Sequence, residues 1–237
     1  MSLSLSNTHS HSATTTHVTS SWVATSIICL IVGASIFITA YIGIKHGSLH
    51  HMDLSVLQWF TSHRYTTVTR VMKLITTIVA PTTFACIILV GAALWAWRKK
   101  EVWRPVLLVG AMGFTLVVST LVKATVGRSR PPSIDMIRPL EVDYSFPSGH
   151  TIGMAVCLLV LGYLLYSRKP SPHSLTTWIV VTILGTAIVA ITRLYLGYHW
   201  LTDVTASFGL AMVILAVMII IDLLVSRQIA KRSTVTA

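Results

Sequence analysis

The sequence predicts an all-α integral membrane protein whose six transmembrane helices form one bundle. Three observations carry that prediction. Of the 237 residues, 54% are hydrophobic and only 11% are charged, whereas a soluble domain is about a quarter charged. Mean hydropathy is +0.75. The apolar residues are also gathered into six uncharged runs, at 21–44, 74–97, 105–122, 151–167, 174–192 and 204–221. The first is long enough to cross a hydrocarbon core of ~30 Å at ~1.5 Å per residue, and the others fall within the ~17–25 residues usual for a transmembrane helix.

Residues 1–20 are rich in Ser, Thr and His and contain no Lys or Arg. That pattern predicts a disordered polar tail and argues against a cleaved signal peptide, which carries a basic leading segment. His9, His11 and His17 lie in this tail, and its polar character explains them better than metal binding does. The first span follows at 21–44. Residues 45–73 mix Lys45, Asp53, Arg64, Arg70 and Lys73 with Val56, Leu57, Trp59 and Phe60, which predicts a loop containing a short interfacial helix. In the second span Pro81 is expected to kink the helix near one end. Trp95 and Trp97 then meet Arg98-Lys99-Lys100, an aromatic and basic membrane edge. The connector to the third span is short, so these two helices form an antiparallel hairpin.

Residues 123–150 are the longest polar segment inside the membrane domain. The fourth and fifth spans are joined by a tight turn, Arg168-Lys169-Pro170-Ser171-Pro172. The sixth span leads into a basic tail, 227–237, with Arg227, Lys231 and Arg232. The membrane domain therefore covers 21–226. No repeat is long enough to indicate an inverted-repeat transporter. Cys29, Cys86 and Cys157 sit in apolar runs without metal-ligand spacing and are expected to be small buried hydrophobes. The formal charge of +11 would suggest nucleic acid in a soluble protein; here it points to anionic lipid head groups and topology signals.

Three polar clusters fall at span ends on one side of the membrane. The first is Lys123 followed by Arg130-Pro131. The second is Pro147-Ser148-Gly149-His150. In it Pro147 ends any upstream helix, Ser148 is placed to cap the next one, and Gly149 allows close backbone approach. The helix N-terminus there favours an anion, and His150 adds a proton donor or acceptor. The third is Thr192-Arg193, His199 and Asp203. Four residues apart, His199 and Asp203 would share one helix face, so that the carboxylate holds one ring nitrogen and frees the other as a nucleophile. Lys123, Arg130 and Arg193 could surround the non-bridging oxygens of a phosphoryl group. Phosphoryl transfer needs mainly positioning and charge stabilisation, which this set supplies without a metal.

The three clusters resemble the signature motifs of the type 2 phosphatidic-acid phosphatases, within the vanadium haloperoxidase-like superfamily. The motifs are Lys-x6-Arg-Pro at 123–131, Pro-Ser-Gly-His at 147–150 and Thr-Arg-x5-His-x3-Asp at 192–203. Thr192 departs from the family's usual Ser but keeps a hydroxyl. The resemblance implies that His199 attacks phosphorus to form a phosphohistidine, oriented by Asp203, while His150 protonates the leaving oxygen and then activates water. Lys123, Arg130, Arg193, Ser148 and the Gly149 N–H would hold the phosphate, with no cofactor.

It also implies a lipid phosphate substrate: undecaprenyl pyrophosphate, phosphatidylglycerophosphate or phosphatidic acid. Two other readings use the same residues. A lipid-phosphate transporter has no evident use for two histidines and an aspartate converging on one anion. The haloperoxidases are soluble, unlike a chain with six apolar runs. Arg128 and Arg138 match no motif position and are expected to be loop or lipid-facing charges. Asp222, ~28 Å along a helix from Asp203, belongs to the opposite face. Lys and Arg divide nine and nine between the two sides, but three on the motif side are claimed by the phosphate site. The short basic connectors then place both termini in the cytoplasm and the site outside it, in a multi-pass plasma-membrane protein.

Overall fold

The computed structural model describes residues 7–168 and 170–235, with side chains between 21 and 229 apart from Lys169. Every long element among the described residues is helical: α1 (Asn7–His46), α2 (His50–Ser62), α3 (Thr66–Ile78), α4 (Pro81–Lys99), α5 (Trp103–Val126), α6 (Gly149–Tyr166), α7 (Pro172–Tyr195) and α8 (Leu201–Val235), with a short 3₁₀ turn at Ser133–Asp135. Six of them, α1 from Ser21, α4, α5, α6, α7 and α8 to Ile229, are long and apolar enough to cross a membrane. The predicted fold class is the observed one.

Boundaries differ in instructive ways. Residues 45–73 form two helices rather than one, and α3 continues to Ile78. Pro81 does not kink a helix. It occupies the first turn of α4, where its missing N–H costs nothing because that donor has no intrahelical partner. The run 74–97 is thus divided between two helices. At the chain ends, α1 extends back to Asn7 and α8 on to Val235, so helix occupies much of the stretch where a disordered tail is expected. Adding residues to an existing helix avoids the cost of nucleation. The side chains of His9, His11, His17, Lys231 and Arg232 lie outside the described residues. Of the cysteines, Cys157 is buried, Cys29 half-buried and Cys86 exposed. Cys86 shares the outer face of α4 with Ile87, Leu89 and Val90, a lipid-facing position rather than a core one.

The core is built on α6 and α8. Ile152, Val156, Val160 and Leu164 recur every fourth residue along α6 and meet Leu210, Ile214 and Ile219 of α8 and Leu107, Leu108 and Ala111 of α5. Such spacing puts the α6 residues on one stripe. Helix α1 packs along α8 with the backbones almost touching. A Cβ on Gly33 would lie 2.5 Å from the Gly209 carbonyl oxygen, and one on Gly209 would lie 2.7 Å from that of Gly33. Small residues permit this approach, which dispersion then rewards where lipid supplies no hydrophobic drive. At one end of the bundle Asp222 accepts hydrogen bonds from Trp103 Nε1 and Tyr163 Oη, both at 2.6 Å. This ties α8 to the start of α5 and the end of α6, remote from the three polar clusters, as expected for Asp222.

Gly209→Val should force α1 away from α8 at a cost of ~1–3 kcal/mol, seen as a lower thermal midpoint in detergent. Gly110→Ala is the control: a methyl there meets nothing within 4 Å, and the midpoint should hold or rise slightly.

Candidate active site

At the other end of the bundle, the C-termini of α5 and α7 and the N-termini of α6 and α8 bring the three clusters together. The link between α7 and α8 depends on Gly197, which has φ +75 and whose added Cβ would meet the Asp135 carbonyl oxygen at 2.2 Å. Only glycine fits a left-handed position so closely covered. The turn sets His199 just ahead of α8 instead of within it, so His199 and Asp203 are not on one helical face. Their contact has a different origin. Asp203 lies in the first turn of α8 and reaches back with Oδ2 to accept the Trp200 N–H at 3.0 Å, one half of a capping box. The same oxygen lies 3.2 Å from His199 Nδ1.

The tautomer of His199 follows from its neighbours. A carboxylate can only accept, so Nδ1 carries the proton; Arg130 can only donate, and its NH1 lies 3.2 Å from Nε2. The Nε2 lone pair therefore faces the cations. Burial, then the charges of Arg193 and Arg130, hold the imidazole pKa well below its ordinary value. The ring is neutral at physiological pH, the state a nucleophile needs.

Each cation is held by identifiable neighbours. Arg193, with 1% of its surface exposed, donates to Thr76 Oγ1 of α3 at 2.7 Å and to Glu141, and its guanidinium lies 4.4 Å from the Tyr198 ring centre. Arg130 donates to the carbonyl of Tyr198 at 2.6 Å and pairs with Glu141 at 2.7 Å and Asp143 at 2.5 Å. Lys123 pairs with Asp143 at 2.8 Å and donates to the Tyr144 carbonyl. Two carboxylates from the loop between α5 and α6 thus engage all three cations. Burial raises the Asp143 pKa, but hydrogen bonds from Lys123 and Arg130 outweigh it and bring it to about 2. Glu141 is raised by burial and lowered by Arg193 and Arg130, for a net position below the ordinary carboxylate range. Among the described residues, Arg193 Nε is buried without a hydrogen-bond partner, a spare donor at the same place.

Ser148 occupies the N-cap of α6, but its side chain makes no capping bond. Its Oγ accepts from Thr151 Oγ1 at 3.0 Å, while its N–H donates to Ser207 Oγ at 2.9 Å. Open space surrounds Gly149 where a Cβ would stand. His150 is within electrostatic reach of Arg193, Arg130 and Lys123 and lines an apolar cavity of about 270 Å³ with Gly149, Phe84, Ile88, Met112 and Leu116. Thr192 donates to the Ile188 carbonyl at 2.8 Å and contacts Met72 Sδ at 3.3 Å. Its hydroxyl serves the helix and not the cations.

Arg128 corrects an expectation: it sits on the loop after α5, but its side chain turns inward and is paired instead of being a free or lipid-facing charge. It bridges Asp203 Oδ1 at 2.5 Å and Asp53 Oδ2 at 2.6 Å. Asp53, Glu141, Asp143 and Thr76 are further polar residues at the site that pattern analysis does not single out. Arg128 lies inside the spacer of the first motif, and Asp53 belongs to a separate mixed segment. The only available signal was that acids are few in this chain, 7 of 237 residues. Among the described residues, no group of three or more His, Cys, Asp or Glu is arranged to hold a metal.

Residues 104–225 match the model of the PAP2 superfamily, and the chain belongs to that family. Among curated relatives, phosphatidylglycerophosphatase B of Bacillus subtilis is 30% identical over 130 residues, 54% of this chain and 62% of that protein. An undecaprenyl-diphosphatase of Sulfolobus acidocaldarius is 28% identical over 132 residues, 47% of this chain and 59% of the relative. The chain therefore spans about six-tenths of the length of these relatives. In three dimensions it resembles the crystal structure of the transmembrane PAP2-type phosphatidylglycerolphosphate phosphatase from Bacillus subtilis, with a TM-score of 0.72 at 24% identity over 81% of this chain and 96% of the other. It also resembles LpxE of Aquifex aeolicus, with a TM-score of 0.51 at 19% identity over 71% and 94% of the two chains. These likenesses establish the membrane PAP2 fold.

Glu141 and Asp143 occupy donors of all three cations, so an anion binding to those cations would have to displace them. Asp143→Asn should make vanadate or inorganic phosphate bind about three- to tenfold more tightly, because the open state becomes more populated. Titration calorimetry measures this directly. With an Asp143 pKa of about 2, acidification from pH 7 to pH 4 leaves that carboxylate charged and should not reproduce the gain.

Proposed function

We propose that this protein is a metal-independent lipid phosphate phosphatase working through a phosphohistidine. One observation carries the proposal: a neutral His199 is oriented by Asp203, with its free nitrogen turned toward the Arg130 guanidinium. Lys123 and Arg193 complete a cationic pocket in which carboxylates stand in for phosphoryl oxygens. The apolar cavity beginning at His150 supports a substrate with a hydrocarbon tail, as do the names of the curated relatives. Undecaprenyl pyrophosphate, phosphatidylglycerophosphate and phosphatidic acid are the substrates to test.

In the first step the Nε2 lone pair of His199 forms the N–P bond while the bond from phosphorus to the leaving oxygen breaks. His150 gives that oxygen a proton. In the second, His150 takes a proton from water, the new O–P bond forms and the N–P bond breaks, releasing inorganic phosphate. Lys123, Arg130 and Arg193 carry the charge on the non-bridging oxygens, with the Gly149 N–H at the start of α6 as a further donor and Ser148 beside it. For a transporter the two histidines and Asp203 would be an unexplained convergence.

Purified protein should release phosphate from at least one of these lipids in the presence of EDTA and be inhibited by vanadate. Abolition by chelation with restoration by Mg²⁺ would overturn metal independence. His199→Ala should lower turnover by at least about 10³-fold and trap no labelled phosphate. With p-nitrophenyl phosphate, whose leaving group needs no acid, His150→Ala should release about one nitrophenolate per site in a burst and retain acid-labile label. Label retained by His199→Ala would reassign the nucleophile.

We place the site on the extracytoplasmic side of the plasma membrane and both termini in the cytoplasm. In a variant lacking native cysteines, an impermeant thiol reagent should label Ile134→Cys in intact cells but not His173→Cys, since both positions are exposed on opposite ends of the bundle. The reverse pattern would invert the topology.

A further inference from the structure

A buried carboxylate must be kept ionised and aimed before it can orient a histidine, and the site contains a device for doing so. Asp203 has no exposed surface, and Asp53 has 1%. Two negative charges so withdrawn from water would be costly without a cation between them. Arg128 supplies it, donating from NH1 to Asp203 Oδ1 and from NH2 to Asp53 Oδ2. The guanidinium is fixed in turn: its NH1 also donates to Thr202 Oγ1 at 2.6 Å, and it lies 5.5 Å from the Trp200 ring centre. Asp53 is anchored to the start of α8 by the Thr202 N–H at 2.9 Å and by Thr202 Oγ1 at 2.8 Å. Every Asp203 oxygen thus has an assigned role, Oδ1 toward Arg128 and Oδ2 toward His199 and the Trp200 N–H.

We propose that Asp53 and Arg128 are positioning residues for the reaction, holding the Asp203 carboxylate so that it orients His199 and offsets the positive charge the imidazole gains on attack. The inference rests on the assignment of His199 as nucleophile. Charge accounting explains why two residues are required. Arg128 alone would neutralise Asp203 and leave the imidazole ring with no net negative partner. Asp53 restores one negative charge to the triad, so Asp203 remains rigid and electrostatically useful. Neither residue touches the Lys123–Arg130–Arg193 pocket. Their loss should therefore slow chemistry without weakening anion binding.

The test is a double-mutant cycle on the full chain in detergent, read by rapid-quench phosphorylation with labelled lipid phosphate. Arg128→Gln should slow phosphorylation by about 100-fold and Asp53→Asn by about tenfold, with KM within about twofold of wild type. In an Asp203→Asn background each should cost less than about twofold, because the partner they position is already lost. Full additivity, or a raised KM at unchanged turnover, would overturn the proposal. Asp53→Asn is nearly isosteric and carries the test if Arg128→Gln does not fold. Ring ¹⁵N spectra of His199 give a readout independent of turnover. Wild type should show the Nδ1–H tautomer and both variants a mixture, whereas an unchanged tautomer would overturn the proposal. If the wild-type protein hydrolysed no lipid phosphate, the functional assignment would fall, while the spectra would still decide whether Asp53 and Arg128 position His199.

Discussion

Three cations gathered in a site largely withdrawn from water are the constraint on which the rest of this molecule depends. Lys123, Arg130 and Arg193 repel one another and lose hydration, so they persist together only where anions meet them. In the free protein those anions are Glu141 and Asp143. The loop between α5 and α6 is shaped by this requirement. Its chain alternates, with Glu141 and Asp143 turned to the cations while Val142 between them is almost wholly exposed, at 97%. In the proposed reaction a phosphate monoester, with the same charge and more oxygens, takes their place without a new set of ligands.

The same need for compensation extends behind the site. Asp203 holds His199 from one side and is itself held by Arg128, which is held by Asp53 on α2. A helix with no recognisable motif therefore reaches the centre of the chemistry. Packing away from the site serves placement. α1 braces α8 through the Gly33–Gly209 contact, and Asp222 pins the far ends of α5, α6 and α8. Together they fix where the near ends of these helices converge.

Position next to the membrane gives the site its two-sided character. One wall is polar and charged. The other, between α4, α5 and α6, is apolar and includes His150 in its lining. A head group and a hydrocarbon tail have opposite solvation needs, and under the proposed function the two walls would divide them.

Six spans are legible from composition alone, because burying twenty or so peptide units in hydrocarbon demands uninterrupted apolar helix, a one-dimensional condition visible in any window. Span counting also puts the three motif clusters at one face, where the ends of the third and fifth spans and the starts of the fourth and sixth lie. The partners of the charges emerge from the folded bundle. Arg128 looked like an unpaired loop charge because its two carboxylates lie 75 positions away on either side, and no periodicity links them. His199 and Asp203 meet just after a glycine turn, where the carboxylate that caps the Trp200 N–H also reaches the ring, although their spacing alone suggested a shared helix face. Pro81 marks a helix start and not a kink, since its effect depends on whether the donor it lacks was needed. Local pattern records the solvent a segment faces. Which buried charge answers which is a property of the assembled bundle.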